Sequence, residues 1–214
     1  QLWPAVVAAN KLDGDKIRLV MMDATAKTTS FLDKQVVAVL GEVASGRSLE
    51  AAPICQNSKV PMISPSSTNP KVTEAGDYIF RVCFIDPFQG AVLAKFARTS
   101  LHASKAALLT SVSSPFSTGL AQVFRTAFTG AGGLISGEQK YNDGDKDFRA
   151  QLTALRAAKP DGIFLPGYYT EAGLIARQAQ QLGITVPIFG GDGWESSKLV
   201  EIGGKAMEGK YFST

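Results

Sequence analysis

Leu165-Pro-Gly-Tyr-Tyr-Thr-Glu171 and Phe189-Gly-Gly-Asp-Gly-Trp-Glu195 each begin at the close of a short apolar run and pass into aromatic and polar residues. Short apolar runs bounded by glycine or proline, with helical spacing between them, read as buried strands of an α/β sheet. Ligands of open α/β sheets bind at the carboxyl ends of the strands, so the two stretches mark the same edge twice. Tyr168 and Tyr169 offer ring faces and hydroxyls, and Asp192 offers a fixed anion between glycines that let a ligand approach the backbone. A small cationic group is the natural guest.

The same rhythm runs outward in both directions. Residues 17–22, 36–40, 62–64 and 78–83 read as strands in the first part, and 106–110, 134–136, 162–165 and 188–189 in the second. Between them, residues 48–58, 88–100, 117–129, 148–158 and 170–182 carry helical spacing, the last ending at Gly183, a suitable C-terminal cap. Repeated βα units predict a largely parallel sheet. A turn signal at Asp86-Pro-Phe-Gln-Gly90 divides the units into two similar sets, so two α/β lobes are expected rather than one ten-stranded sheet. The boundaries are a first lobe over 1–85, a second over 86–208, and a crossover starting at 209–214.

With 214 residues, 45% of them hydrophobic and 19% charged, the chain can bury a substantial core. The net charge of +3 is dispersed among opposite charges, as in Asp143-Gly-Asp-Lys-Asp-Phe-Arg149, which is not the stripe a nucleic acid requires. No apolar run approaches the roughly 20 residues of a membrane span, and Gln1-Leu-Trp-Pro4 is not the start of a signal peptide, so any export leader is expected to have been removed. Cys55 and Cys83 read as two buried free thiols, or as a pair if the fold brings them together.

Two hydroxyl-rich segments follow strands in the first lobe. Gly41-Glu-Val-Ala-Ser-Gly46 places Ser45 at or near a helix N-cap, where free backbone N–H groups favour an anion. Ile63-Ser-Pro-Ser-Ser-Thr-Asn-Pro70 holds more hydroxyls than one turn needs, stiffened by Pro65 and Pro70. The two converge, on this reading, on a carboxylate-sized anion held by neutral donors and helix dipoles.

Catalytic readings find no support. His102 reads as a surface residue, and Ser45 lacks the glycine two residues earlier that a nucleophile elbow needs. Neither Cys-x-x-Cys nor His-Glu-x-x-His occurs, and Gly130-Ala-Gly-Gly133 follows a helix, the reverse of a dinucleotide loop. Asp143, Asp145 and Asp147 lack the terminal acidic ligand of a calcium loop and read as a solvated turn. Trp194 either walls a pocket or covers a lobe edge. No cofactor is expected.

Taken together, Gly41-Glu-Val-Ala-Ser45, the 63–70 and 80–90 segments, Lys146-Asp-Phe-Arg-Ala-Gln-Leu152, the 160–171 segment and Gly190-Gly-Asp-Gly-Trp194 resemble the branched-chain amino-acid type substrate-binding proteins of ABC transporters, in order and over nearly the whole chain. The resemblance implies a type I periplasmic-binding-protein fold: two Rossmann-like lobes with mostly parallel sheets and a ligand cleft between them. It implies that Ser45, Ser66, Ser67 and Thr68 receive a ligand carboxylate and part of its ammonium, that Asp192 holds the ammonium, and that Tyr168 or Tyr169 lines the opposite wall, with Tyr168 favoured. The partners it implies are a small amino acid or an aromatic or aliphatic carboxylate and a transporter permease, with no nucleic acid. The protein is then a monomer located in the periplasm or outside the cell, with a lipid anchor as one option. A sensory ligand-binding domain of the same fold is the alternative.

Three departures from the family pattern stand out. Phe116 occupies the position of a tyrosine in Phe116-Ser-Thr-Gly-Leu120, removing a hydroxyl near the ligand amine and favouring an aromatic, more apolar or amine-modified ligand. The chain begins inside the expected first helix, and Glu208-Gly-Lys-Tyr-Phe-Ser-Thr214 reads as a strand leading back to the first lobe. The sequence is therefore expected to be part of a longer chain.

Overall fold

The computed structural model describes residues 36–214; the strand expected at 17–22 lies outside them. The fold is α/β with two parallel sheets. The first has the order β1-β2-β3, with β1 Val39–Leu40, β2 Met62–Ser64 and β3 Ile79–Arg81. Helix α1 (Ser45–Asn57) joins β1 to β2, and a 3₁₀ turn at Pro70–Ala75 lies between β2 and β3. The second sheet has the order β5-β4-β6-β7-β8. Its strands are β4 Lys105–Ser111, β5 Leu134–Tyr141, β6 Gly162–Phe164, β7 Ile188–Gly190 and β8 Tyr211–Phe212. Helix α2 (Asp86–Thr99) leads into it, and α3 (Pro115–Gly130), α4 (Arg149–Ala157) and α5 (Tyr169–Gln181) connect its strands. A short helix α6 (Ser197–Gly203) precedes β8, which pairs in parallel with β7 at the sheet edge.

The alternation of side chains along β4, β6 and β7 builds two cores from one sheet. Ala107, Leu109, Ile163, Leu165 and Ile188 join one core with Leu152 and Leu155 of α4 and Ile175 of α5. Their sequence neighbours Ala106, Leu108, Phe164 and Phe189 join the other, with Leu93 of α2 and Phe124 and Phe128 of α3. There Phe124 stacks on Phe164 with ring centroids 4.0 Å apart. A strand buried on both faces reads as a continuous apolar run, which is why these strands stood out in the sequence. The first sheet has its own core, in which Val39, Met62 and Ile79 meet Ala51, Ala52 and Cys55 of α1.

Several boundaries differ from expectation for physical reasons. Strand β5 runs to Tyr141 rather than stopping at 136, because it is an edge strand whose Gly137-Glu-Gln-Lys140 segment faces water in part and lacks an apolar signature. Helix α1 starts three residues before the expected 48, so Ser45 is its first residue and Ala44, which makes no side-chain cap, is the N-cap. Helix α2 starts at Asp86 with Pro87 in its first turn, where a missing N–H costs nothing. Both cysteines are free, Cys55 buried and Cys83 half-buried, which settles the open choice between thiols and a pair.

Candidate functional site

The carboxyl ends of β1 and β2 hold a knot of hydroxyls. Ser64 Oγ donates to the Glu42 carbonyl at 2.7 Å and accepts the Ser67 N–H at 2.9 Å. Ser67 Oγ lies 3.0 Å from both the Glu42 and Val43 carbonyls and 2.8 Å from Ser48 Oγ. Ser66 Oγ donates to Val43 at 3.2 Å. Most hydroxyls that looked like anion donors therefore bond the preceding loop. Arg81 clamps the same turn from β3, donating from Nη1 to the carbonyls of Ser67 and Asn69 at 2.6 and 2.9 Å, and from Nη2 to Pro70 and to Thr73 Oγ1 at 2.9 and 2.7 Å. A guanidinium so occupied serves the loop rather than a ligand.

Two side chains are left over. Ser45 Oγ accepts the Asn69 N–H at 3.3 Å, which leaves its own proton to donate. Thr68 Oγ1 is buried with no hydrogen-bond partner among the described residues. Beside it is Asp86, 1% exposed, whose carboxyl is pushed up to about 6 by burial, with the Asp192 charge adding to the shift and Arg81 opposing it.

On the second sheet, Tyr168 is the N-cap of α5 and follows β6, while Asp192 opens a 3₁₀ turn (Asp192–Trp194) after β7. The Tyr168 ring packs against Phe116 at 5.2 Å between centroids, tilted by 31°. Burial raises the Tyr168 hydroxyl pKa, Asp143 and Asp192 add to that, and favourable contacts with the Ser45 backbone and the Ser114 hydroxyl oppose it. The side chain thus reaches from the second sheet to the first turn of α1. Gly193 permits this packing: a Cβ there would stand 2.6 Å from the Gly167 carbonyl and 2.8 Å from Phe116 Cε1.

Asp192 is anchored by its backbone, whose N–H donates to Gln89 Oε1 at 2.8 Å. Its carboxyl pKa is raised by burial and by Glu195, and offset by Gln89 and by backbone N–H groups. Oδ1 is buried with no partner among the described residues. A carboxylate in that state is a receptor for a cation.

A cleft of about 460 Å³ opens where these elements meet, lined by Ala44, Gly46 and Arg47 from the first side and by Ser114, Asp143 and Tyr168 from the second. An adjoining cavity of about 570 Å³ is lined by Asn69, Asp86 and Gly119 among others. The Asn69 side-chain amide, donating to the Pro115 carbonyl at 2.9 Å, links the two sheets nearby.

Two α/β sheets facing across a polar cleft are a common binding architecture, and a family model decides among its forms: that of the periplasmic binding proteins matches residues 2–214. The chain belongs to the periplasmic binding protein family. It is 30% identical over 209 residues to the Leu/Ile/Val-binding protein BraC3 of Rhizobium johnstonii, covering 97% of this chain and 52% of that protein. Among solved structures, the leucine-binding protein LivK of Thermotoga maritima matches with a TM-score of 0.91 and 41% identity, over 99% of this chain and 63% of LivK. The branched-chain amino acid transporter substrate-binding protein LivJ of Streptococcus pneumoniae, solved with isoleucine, matches with a TM-score of 0.88 and 34% identity, over 98% of this chain and 62% of LivJ. The chain spans about half the length of the curated relative and under two thirds of each solved one.

Within this periplasmic binding protein, the expected site residues fall into three groups. Tyr168 lines the cleft, Ser45 lies between Ala44 and Gly46 on its opposite wall, Phe116 is buried against Tyr168, and Thr68 and Asp192 flank Asp86 without lining either cavity. Ser66 and Ser67 bond the 42–43 loop. Tyr169 packs against the core on the other sheet face, so its neighbour Tyr168 is the tyrosine of the cleft. Trp194 is fully buried in that same core, its Nε1 donating to the Leu165 carbonyl at 3.2 Å, and so it closes a lobe rather than walling the pocket. Asn69, Arg81, Asp86 and Gln89 escaped the sequence reading. Their only signal was polar character beside strand ends, since their pairings, 8 to 14 residues apart for Arg81 and 103 for Gln89 with Asp192, follow no local spacing rule.

Proposed function

We propose that the protein is an extracytoplasmic solute-binding protein that takes a free amino acid, or a related small carboxylate, between two lobes divided near residues 85 and 86, and presents it to an ABC transporter. The observation that carries this reading is the buried, unpartnered Oδ1 of Asp192 beyond Tyr168 from the donors at Ser45 and Thr68. An ammonium would neutralise the first, and a carboxylate would use the α1 N-terminus and the Ser45 hydroxyl. The two charges of a zwitterion are then met by different lobes, so only the closed form satisfies both. Ligand shifts the open–closed equilibrium by that difference in affinity.

The names of the relatives support an aliphatic guest, since BraC3 is a Leu/Ile/Val-binding protein and LivK a leucine-binding protein. Membership of the family places the protein outside the cytoplasm on this reading, and the relatives are binding proteins rather than enzymes. Thermal-shift titration of the full-length protein with leucine, isoleucine, valine and small aromatic carboxylates tests it, because a ligand specific for the folded state raises stability with concentration. The expected result is a concentration-dependent rise with at least one aliphatic amino acid. A rise with aromatic acids lacking an amine, and none with amino acids, would overturn the role given to Asp192.

A further inference from the structure

Gln89 is 1% exposed and sits one turn into α2, far in sequence from everything it touches. Its Oε1 accepts the Asp192 N–H at 2.8 Å and the Ser213 hydroxyl at 2.7 Å. A backbone N–H can only donate, so the amide orientation is fixed: oxygen toward Asp192 N–H, nitrogen on the other side. That nitrogen is buried with no hydrogen-bond partner among the described residues, and neither has Asp192 Oδ1. The loop is moulded around it, since a Cβ on Gly191 would stand 2.6 Å from Gln89 Oε1 and 2.7 Å from Leu120 Cδ2. One turn earlier on the same helix, the Asp86 N–H donates to the Thr68 carbonyl at 2.9 Å. The first turn of α2 therefore holds both halves of the proposed site.

We propose that Gln89 is a positioning residue for the ligand's ammonium: it fixes the Asp192 backbone, and with it the place of the carboxylate, and ties that backbone to the segment leaving β8 through Ser213. The assignment rests on the reading of Asp192 as the ammonium receptor. A merely structural glutamine would stabilise the fold without altering the chemistry of that carboxylate.

The titratable groups that face Asp192 are Asp86 of α2, Cys83 just before it, Tyr168 at the end of β6 and Glu195 in its own turn. The decisive experiment follows the Asp192 carboxyl carbon by NMR through a pH titration of the unliganded full-length protein, with Asp192→Asn assigning the signal. Gln89→Met removes both functions of the amide. Gln89→Glu keeps an oxygen for the Asp192 N–H and the Ser213 hydroxyl but adds a like charge beside the carboxylate. The Asp192 midpoint is expected to rise by about one pH unit or more in Gln89→Glu, whose charge stands beside it. Leucine affinity should fall about tenfold or more in Gln89→Met, and in Gln89→Glu it should drop more steeply than in the wild type as pH is lowered from about 8 to 6. An unchanged Asp192 midpoint in folded Gln89→Glu overturns the assignment. If leucine fails to bind even the wild type, the amino-acid reading is what fails, and the titration still decides the role of Gln89.

Discussion

The hydroxyl knot at the ends of β1 and β2 and the aromatic and acidic cluster at the ends of β6 and β7 sit at equivalent edges of two sheets, yet they treat most of their polar groups in opposite ways, with Thr68 Oγ1 the unpartnered exception in the first. In the first, Ser64, Ser66, Ser67 and Arg81 saturate one another and the loop carbonyls. In the second, Asp192 Oδ1 is left buried without a partner among the described residues, and Tyr168 carries a hydroxyl pKa raised by burial. Saturated groups define a shape. Unsaturated ones carry a free-energy deficit that a ligand can relieve. An abundance of polar residues therefore marks the scaffold, and the ligand groups are what remains after the scaffold has been built.

Substitutions should separate the two regions by their readout. The largest effect is expected at Asp192→Ala, which should weaken binding of an ammonium ligand about 100-fold, or roughly 3 kcal/mol, by removing a buried charge partner. Stability of the unliganded protein should hold or rise, because a desolvated carboxylate is lost; calorimetric binding and thermal melts check both halves. Arg81→Met should do the reverse. It strips four hydrogen bonds from the 67–73 turn, and unfolding in urea should show a loss of about 2 to 3 kcal/mol in stability.

Acid should drive the two readouts apart. The folded Asp86 carboxyl titrates at about 6, above its ordinary value of 3.8, and that of Asp192 is also raised. A carboxylate with a raised folded pKa penalises the fold when charged, so the stability of the unliganded protein should increase as pH falls through about 6 toward 4. Ligand affinity should fall as acid protonates Asp192, whose carboxyl pKa is raised by burial. Melts from about pH 7 down to about 4 would show the first trend, Asp86→Asn should flatten it, and parallel binding isotherms read the second. A smaller effect is expected for Ser67→Ala, about 1 kcal/mol of stability from the unmet carbonyls of Glu42 and Val43, with ligand affinity within about threefold of wild type. If affinity falls further than stability, the knot takes part in binding and the contrast between the regions is broken.

The sequence revealed the βα order because strands buried on both faces leave uninterrupted apolar runs, as Ile163-Phe-Leu165 does. It concealed the length of β5, where water on one side dilutes the pattern, and it concealed α6, too short for periodicity to register. Within the site, Asp192 and the tyrosine pair were visible because such residues are conspicuous at a buried strand end. The choice of Tyr168 over Tyr169 depended on which face of the sheet each residue takes at the start of α5. Gln89 and Arg81 were invisible for a different reason. Gln89 takes its role from Asp192, 103 residues away, and Arg81 takes its own from carbonyls 11 to 14 residues back, whose direction only the folded turn sets.

The central claim is that the buried Asp192 carboxylate is the receptor for a ligand ammonium. Its most direct test is calorimetric titration of the full-length protein with leucine and with 4-methylpentanoate, the same skeleton without the amine, in the wild type and in Asp192→Ala. The account predicts tight binding of leucine to the wild type alone, with the amine-free acid weaker by about 100-fold and little affected by the substitution. Equal affinity of the wild type for both compounds, or leucine binding that survives Asp192→Ala, would contradict it.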